Sequence, residues 1–251
     1  MPTLRSSRRT FLQHGLAALT LPLTLPLSVK GKEYKAEEFR ILFQGDSITD
    51  GNRGRNDDPN HILGHGYAFA IASDLGLRFP DRNLKFINKG VSGDKVSDLL
   101  SRWDNDCISF RPDVVSILVG VNDILAAIDE GKDLEKQKFH DQIAELLTST
   151  RKNLPKSLLV VGEPFILPVG MVTRNPERWL EMVAAVQNVV KKIAGEFNTL
   201  LVPYQSAFTN ACKRADASYW IWDGIHPTYS GHGLMKDVWI ETVRKRCDMI
   251  A

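Results

Sequence analysis

Five short, continuous apolar runs alternate along the chain with longer stretches in which apolar residues recur every three or four positions. The runs lie at 39–44, 84–88, 113–120, 157–165 and 198–204. Uninterrupted apolar runs of this length are typical of strands that are buried on both faces, as in a parallel sheet. The helical patterns fall at about 66–77, 94–106, 133–153, 176–197 and 230–247. This order predicts an α/β domain, a three-layer sandwich with a central five-stranded parallel sheet.

The composition is that of an ordinary soluble protein, but the charge is unevenly distributed. Of the 251 residues, 43% are apolar and 25% are charged. Residues 1–30 carry four basic residues and no acidic one, so the rest of the chain is mildly acidic. A nucleic-acid-binding protein needs a basic face, so we expect no nucleic-acid partner. The three cysteines are too few for a disulfide framework and favour free thiols, although one disulfide stays open.

The first thirty residues have the pattern of an export signal. "SSRRTFLQHG" places Arg8 and Arg9 before the apolar stretch "LAALTLPLTLPLSV". Pro22 and Pro26 interrupt this stretch, which is shorter than the ~20 residues of a membrane span, and no cysteine closes it for lipid attachment. We therefore predict a twin-arginine-type signal over 1–30, export to the periplasm or the medium, and no stable membrane anchor. A basic N-terminus without a targeting role is the alternative.

A glycine-containing polar turn follows each of the first three predicted strands. The turns are "GDSITDG", "KGVSGD" and "GVNDI". In open parallel sheets, ligands bind beyond the carboxyl ends of the strands, so this coincidence predicts a site at that edge. Ser47 in the first turn has two interpretations, because a serine there can cap the next helix or act as a nucleophile at a strand-to-helix corner.

An acid and a histidine lie three residues apart near the C-terminus. In "WIWDGIHPTYSGHG", Asp223 and His226 are separated by Gly224 and Ile225. On one short turn the acid can hold one imidazole nitrogen while the other nitrogen faces a serine. The alternative is that Asp223 caps the last helix and His226 lies on the surface.

Taken together, "GDSIT", "NKGVSGD", "GVND" and "DGIHP" resemble the four blocks of the SGNH/GDSL hydrolase superfamily, over residues 40 to 240. The resemblance implies a single SGNH hydrolase domain over 31–251 with a flavodoxin-like fold and without a metal or cofactor. It also implies that Ser47 is the nucleophile and that Asp223 and His226 are its partners. The implied oxyanion hole consists of the backbone N–H groups of Ser47 and Gly90 and the side-chain amide of Asn122.

Longer segments extend this similarity towards one group of enzymes. "GDSITD", "NKGVSG", "RWDNDCISFRPDVVSILVGVNDI" and "WDGIHPTYSGH" are most similar to bacterial acetylxylan esterases and related carbohydrate acetylesterases of the GDSL type. This implies removal of O-acetyl groups through an acetyl-serine, with an acetylated oligosaccharide or another small ester as substrate. A lysophospholipase or thioesterase of the same family, and a non-catalytic carbohydrate-binding module on the same fold, are the alternatives. The oligomeric state stays open, a homo-oligomer included.

Four further residues are candidate substrate contacts. Arg53 and Arg55 belong to the polar loop 50–67, which follows the serine turn and suits sugar hydroxyls. Trp220 and Trp222 directly precede the acid–histidine turn, where each can line the pocket or simply pack. A solvated loop is the alternative for the two arginines.

Other polar and aromatic residues are interpreted as structural. We expect Asp46 to brace the serine turn and Asp123 to hydrogen-bond loop backbone. His61 and His65 are four apart but have no third ligand at a convincing spacing, so we predict no metal site. Three tryptophans fall at apolar positions of helical patterns and are predicted to lie in the core: Trp103, Trp179 and Trp239.

Overall fold

Five parallel strands form the centre of the structure, a computed structural model that describes residues 37–251. The strands are β1 (Phe39–Gly45), β2 (Leu84–Asn88), β3 (Val114–Leu118), β4 (Leu158–Gly162) and β5 (Leu200–Val202). Their order in the sheet is β2-β1-β3-β4-β5, and all neighbouring strands are parallel. The predicted five-stranded sheet is confirmed. The predicted export signal lies outside the described residues.

Helices flank this sheet, and the five predicted ones are present with small shifts at their ends. The helices are α1 (Ser47–Asp50), α2 (Tyr67–Arg78), α3 (Val96–Asp106), α4 (Val121–Asp129), α5 (Lys136–Asn153), α6 (Pro176–Glu196), α7 (Tyr204–Ala211), α8 (Ala217–Trp220) and α9 (Tyr229–Val243). The sequence pattern does not predict α4 and α7, because both are short and directly follow a strand. It also does not predict the single-turn helices α1 and α8.

The helices form two packed groups, one with α2, α7 and α9 and the other with α3 to α6. Trp103, Trp179 and Trp239 are buried, as predicted. Two of them also link elements, because the Trp239 Nε1–H donates to Ser116 Oγ in β3 at 2.9 Å and the Trp103 Nε1–H donates to Thr150 Oγ1 in α5 at 3.0 Å. The Trp239 bond thus ties α9 to the sheet, and the Trp103 bond ties α3 to α5 within one helix group.

The three polar turns lie side by side at one edge of the sheet. Gly45 at the end of β1 pairs with Leu118 at the end of β3, and Phe43 pairs with Asn88 at the end of β2. Because the strands are parallel, the turns that follow them leave the sheet in the same direction. The register therefore brings the segments 46–51, 89–95 and 119–122 together.

Three further features of residues 37–251 bear on function. All three cysteines in this range, Cys107, Cys212 and Cys247, are free thiols. No helix in the described range combines the length and apolar character needed to cross a bilayer. Histidine, cysteine and acidic side chains in this part of the chain do not gather in a group of three or more that could hold a metal ion.

Candidate active site

Ser47 is the first residue of α1, and a neighbour performs the capping that Ser47 could have performed. Asp46 is the N-cap, and its Oδ1 accepts a hydrogen bond from the Ile48 N–H at 3.0 Å. The predicted bracing role of Asp46 is confirmed. Ser47 Oγ is therefore not needed for the helix end. It lies 2.8 Å from His226 Nε2 instead.

Asp223 holds the opposite nitrogen of the same imidazole. Asp223 Oδ2 lies 2.6 Å from His226 Nδ1. Its Oδ1 accepts the backbone N–H groups of Ile225 at 3.0 Å and His226 at 2.8 Å. A carboxylate on this side favours the tautomer with the proton on Nδ1, which leaves Nε2 as an acceptor for the serine hydroxyl. The structure thus brings Ser47, His226 and Asp223 into one hydrogen-bonded chain, and Thr228, not Asp223, caps the last helix.

A tight turn presents Asp223 and His226 on the same side. Ile221 and Pro227 form an isolated antiparallel bridge at its base. Gly224 at its tip has a φ of +107°, and a Cβ there would lie 2.6 Å from the Val169 carbonyl oxygen. Both the positive φ and the close approach exclude a larger residue. The glycine between the acid and the histidine is therefore required by the geometry of the turn.

Asn122 lies in the first turn of α4, at the end of β3. Its Nδ2 donates to the Asp94 carbonyl oxygen at 3.1 Å, so the neighbouring turn fixes its amide. The amide has two N–H groups, and this bond uses one of them. Asp123 accepts the Val96 N–H at 3.3 Å, in agreement with its predicted role of bonding loop backbone. Burial raises the pKa of the Asp123 carboxyl to about 6.

The predicted backbone donor Gly90 is wrong. Its N–H donates to Asn88 Oδ1 at 2.9 Å inside the protein, and a Cβ at this position would lie 2.3 Å from the Asp50 nitrogen. Gly90 therefore serves close packing against the serine turn. The sequence contained a signal for this, because asparagine side chains commonly accept the N–H two residues further on. Gly93 in the same segment is exposed, has a φ of +89°, and its N–H has no acceptor among residues 37–251.

The two candidate tryptophans have different environments. Trp220 is only 7% exposed and is part of the core, so its predicted contact with substrate is wrong. Trp222 is 63% exposed, and its indole stacks on the His226 ring with 5.8 Å between centroids and 19° between planes. An exposed aromatic face thus lies directly beside the imidazole that contacts Ser47.

The two candidate arginines are held by protein groups near the end of α1. Arg55 Nη2 lies 2.7 Å from Asp50 Oδ2 in an ion pair, so this guanidinium braces the serine turn. Arg53 Nε donates to the Gly90 carbonyl oxygen at 2.8 Å. Arg53 also lines an open cleft of about 540 Å³ together with Asn56 and Lys89. Arg53 stays a candidate for substrate contact, whereas the Arg55 guanidinium is largely occupied.

His232 is a partly buried histidine near this site, on the last predicted helix. The Tyr67 N–H donates to His232 Nδ1 at 3.1 Å, which satisfies a backbone donor in the first turn of α2. Burial lowers the pKa of His232 to about 4, with smaller contributions from the neighbouring His65 and His226. The imidazole is therefore neutral at pH 7 and links α9 to α2.

Replacing His232 by glutamine should remove a pH-dependent part of the stability. The unfolded histidine binds its proton near its ordinary pKa, while the folded one stays neutral until about pH 4. The wild-type advantage is thus complete above the unfolded pKa and is lost as the pH falls towards 4. We expect an advantage on the order of 1–3 kcal/mol at pH 7 that shrinks by pH 4.5. Urea unfolding of both proteins at several pH values measures it, and a constant difference would contradict it. His61→Gln is the exposed control, because His61 does not act on the pKa of His232.

Comparisons with known proteins agree with this geometry. A model of the GDSL-like lipase/acylhydrolase family matches residues 43–234. An acetylxylan esterase from Geobacillus stearothermophilus is 33% identical over 214 residues, which cover 82% of this chain and 97% of that protein. Over a shorter stretch, 85 residues, the chain is 31% identical to the lipoprotein YqeF of Bacillus subtilis, whose function is uncharacterized.

Two solved structures share the fold of this chain and are also more than 30% identical to it in sequence. A GDSL-like lipase from Parabacteroides merdae has a TM-score of 0.79 and 38% identity, with 83% of this chain and 97% of that one covered. The acetylxylan esterase Axe2 from Geobacillus stearothermophilus has a TM-score of 0.72 and 31% identity, with 82% and 94% covered. Three further Axe2 structures carry catalytic mutations, one each of a serine, an aspartate and a histidine.

Proposed function

Because the chain belongs to the GDSL-like lipase/acylhydrolase family and is a serine-type carboxylic ester hydrolase, we propose that it removes O-acetyl groups from carbohydrates. The observation that carries the proposal is the hydrogen-bonded chain of Ser47, His226 and Asp223, with distances of 2.8 and 2.6 Å. The similarity to an acetylxylan esterase supports the acetyl group and the sugar. A non-catalytic module would have no need of this chain of three polar side chains.

In the first half-reaction, Ser47 Oγ attacks the acetyl carbonyl carbon while His226 Nε2 accepts the hydroxyl proton. Asp223 keeps the imidazole oriented and stabilises the charge that it gains. The tetrahedral intermediate then collapses as His226 gives the proton to the departing sugar oxygen. The products of this step are the deacetylated sugar and an acetyl ester of Ser47.

In the second half-reaction, water attacks the acetyl-serine while His226 accepts its proton. Collapse of the second tetrahedral intermediate releases acetate and returns the proton to Ser47 Oγ. Both intermediates carry negative charge on the former carbonyl oxygen. The donors proposed for that oxygen are the Ser47 N–H, the remaining N–H of the Asn122 amide, and the Gly93 N–H in place of that of Gly90. Removing one such donor typically costs about 3–4 kcal/mol of transition-state stabilisation.

Asn122→Ala should therefore lower kcat by ~10²–10³ and change KM little, because the oxyanion exists only in the transition state. Steady-state kinetics with p-nitrophenyl acetate measure both constants. Asn122→Asp is the isosteric companion, since it keeps the size of the side chain but adds a negative charge. A change confined to KM would instead give Asn122 a role in binding the ground state.

Trp222 is the proposed sugar contact. Its exposed indole beside His226 offers a flat apolar surface to the C–H face of a pyranose ring next to the reacting ester. Arg53, which lines the cleft of about 540 Å³ with Asn56 and Lys89, has a guanidinium that can donate to sugar hydroxyls. Trp222→Ala should lower kcat/KM for acetylated oligosaccharides by a larger factor than for p-nitrophenyl acetate, because the lost stacking on His226 affects both substrates and the lost sugar surface affects only the first. An equal loss on both substrates would reject the sugar contact.

The substrate class is tested with two sets of esters. Mass spectrometry of acetylated xylo-oligosaccharides before and after incubation should show the loss of acetyl groups. p-Nitrophenyl acetate should be cleaved much faster than the octanoate, because an acyl site that fits acetyl excludes added methylenes at about 1–3 kcal/mol each. Faster cleavage of the octanoate would favour the lysophospholipase or thioesterase alternative. If the oligosaccharides are unchanged while the simple ester releases acetate rapidly, the proposed esterase chemistry stands and only the carbohydrate substrate is rejected.

Export through the twin-arginine route is the proposed localisation, based on Arg8, Arg9 and the apolar stretch that follows. Replacing both arginines by lysine keeps the charge, yet it should leave the precursor in the cytoplasm. Cell fractionation and immunoblotting measure the distribution. Unchanged export of the double variant would exclude this route.

A further inference from the structure

Arg102 in α3 is a largely buried arginine whose contacts converge beneath the site. Its side chain is 18% exposed and pairs with Asp94 at 2.8 Å and with Asp106 at 3.0 Å. Its Nη1 also donates to Gln44 Oε1 at 3.0 Å and to the Lys89 carbonyl oxygen at 2.8 Å. A planar guanidinium can make this many directed hydrogen bonds at once, which an ammonium cannot do.

These contacts reach two of the three segments that carry a proposed oxyanion donor directly, and the third through Asp94. Gln44 and Gly45, the latter 3.5 Å from Arg102 Nη2, end the strand that leads into Ser47. Lys89 and Asp94 bracket the turn that contains Gly93. The Asp94 carbonyl oxygen in turn accepts the Asn122 Nδ2–H at 3.1 Å. The guanidinium is thus bonded directly to two of the three segments. It is connected to the third, which contains Asn122, through Asp94.

The charges around Arg102 explain why its loss would disturb the turn. The Asp94 side chain is 14% exposed, and burial raises the pKa of its carboxyl, while the hydrogen bond from Arg102 opposes that change. The carboxylates of Asp98 and Asp106 also act on Asp94. Without Arg102, Asp94 would keep a buried carboxylate with like charges nearby and no bonded cation. Such a group is relieved by taking up a proton or by moving towards water.

We propose that Arg102 is a positioning residue for the oxyanion site, which holds the end of β1, the turn 89–94 and the Asn122 amide at the spacing that the tetrahedral intermediate requires. The inference rests on the proposed hydrolytic function and adds a residue to it. Arg102 does not contact the substrate in this scheme. Its effect therefore falls on kcat, because misplaced donors weaken transition-state binding and leave ground-state binding almost unchanged.

Three variants test the proposal with p-nitrophenyl acetate. Arg102→Gln removes both the positive charge and the planar set of guanidinium N–H donors. Arg102→Lys keeps only the positive charge. The matched control is Arg151→Gln. Arg151 donates to the carbonyl oxygens of Ser157 at 3.0 Å and Phe197 at 3.4 Å, which precede β4 and β5 at the amino ends of the strands, away from the site. Thermal unfolding reports stability, and a fluorophosphonate that labels Ser47 counts the folded sites, so that kcat is expressed per competent site.

We expect Arg102→Gln to lower kcat by roughly 10- to 100-fold with KM within about threefold, Arg102→Lys to lose less, and Arg151→Gln to keep wild-type kcat despite a lower Tm. The inhibition constant of a boronic acid, whose adduct with Ser47 is tetrahedral, should rise in proportion to the loss of kcat/KM. If Arg102→Gln does not fold, the same comparison is made between Arg102→Lys and Arg151→Gln.

Three results would overturn the inference: wild-type kcat in both Arg102 variants, a change confined to KM, or a loss of kcat in Arg151→Gln that follows Tm in the same way. The readout is independent of the natural substrate. If the enzyme cleaves p-nitrophenyl acetate but not acetylated oligosaccharides, the proposed carbohydrate substrate is rejected. The role of Arg102 is still tested in full by p-nitrophenyl acetate.

Discussion

Ser47→Ala should lower kcat for p-nitrophenyl acetate by on the order of 10⁵-fold or more, while the fold is retained. The hydroxyl is the group that would form the acetyl ester, and no other hydroxyl is bonded to the His226 imidazole in the described structure. The substitution removes one hydrogen bond and little packing, so the free energy of unfolding should fall by no more than about 1 kcal/mol.

Two measurements separate loss of chemistry from loss of structure in this variant. Thermal unfolding and near-UV circular dichroism should match those of the wild type, and a fluorophosphonate that labels the wild-type protein should fail to label Ser47→Ala. Ser92→Ala is a suitable control, because Ser92 lies in the neighbouring turn and bonds Asp50 rather than the imidazole. A Ser47→Ala protein that keeps a tenth of wild-type kcat would show that Ser47 is not the nucleophile.

The sequence was most informative where the chemistry is local. Continuous apolar runs predicted all five strands, because the central strands β1, β3 and β4 are buried on both faces and the partly exposed edge strands β2 and β5 are still mostly apolar. The spacing of Asp223 and His226 allowed a contact but left open that Asp223 caps the last helix, and the structure shows the contact at 2.6 Å with Thr228 as the cap. The family resemblance implied Ser47 as the nucleophile, and the structure adds that Asp46 caps α1 while Ser47 Oγ lies 2.8 Å from His226 Nε2.

The sequence was least informative about long-range hydrogen bonds, where several acceptors compete for one donor. Gly90 and Gly93 both fit the position of a backbone donor, and only the hydrogen bond from Gly90 to Asn88 separates them. Arg102 is equally hidden, because its partners lie in segments that become neighbours only through strand register. Long-range contacts of this kind leave no periodic signal in the chain.

His226→Ala should be nearly as damaging as the loss of the serine, with kcat reduced on the order of 10⁵-fold. The imidazole is proposed to carry the proton in all four transfer steps. Asp223 is hydrogen-bonded to His226 and not to Ser47 Oγ, so it cannot replace the imidazole as the base. His65→Ala is the control, because His65 is an exposed histidine in the loop that follows α1. Its kcat should stay within about twofold of the wild type.

The double variant Ser47→Ala/His226→Ala gives the sharper test, because residues that act as one unit lose their effect together. Once the serine hydroxyl is absent, the imidazole has no proton to accept from it, so the second substitution should cost almost nothing further. We therefore expect the double variant to retain the same residual rate as either single variant, within about tenfold. A further loss equal to that of His226→Ala alone would show that the histidine acts independently of Ser47, for instance by activating water directly, and would remove the acetyl-serine from the mechanism.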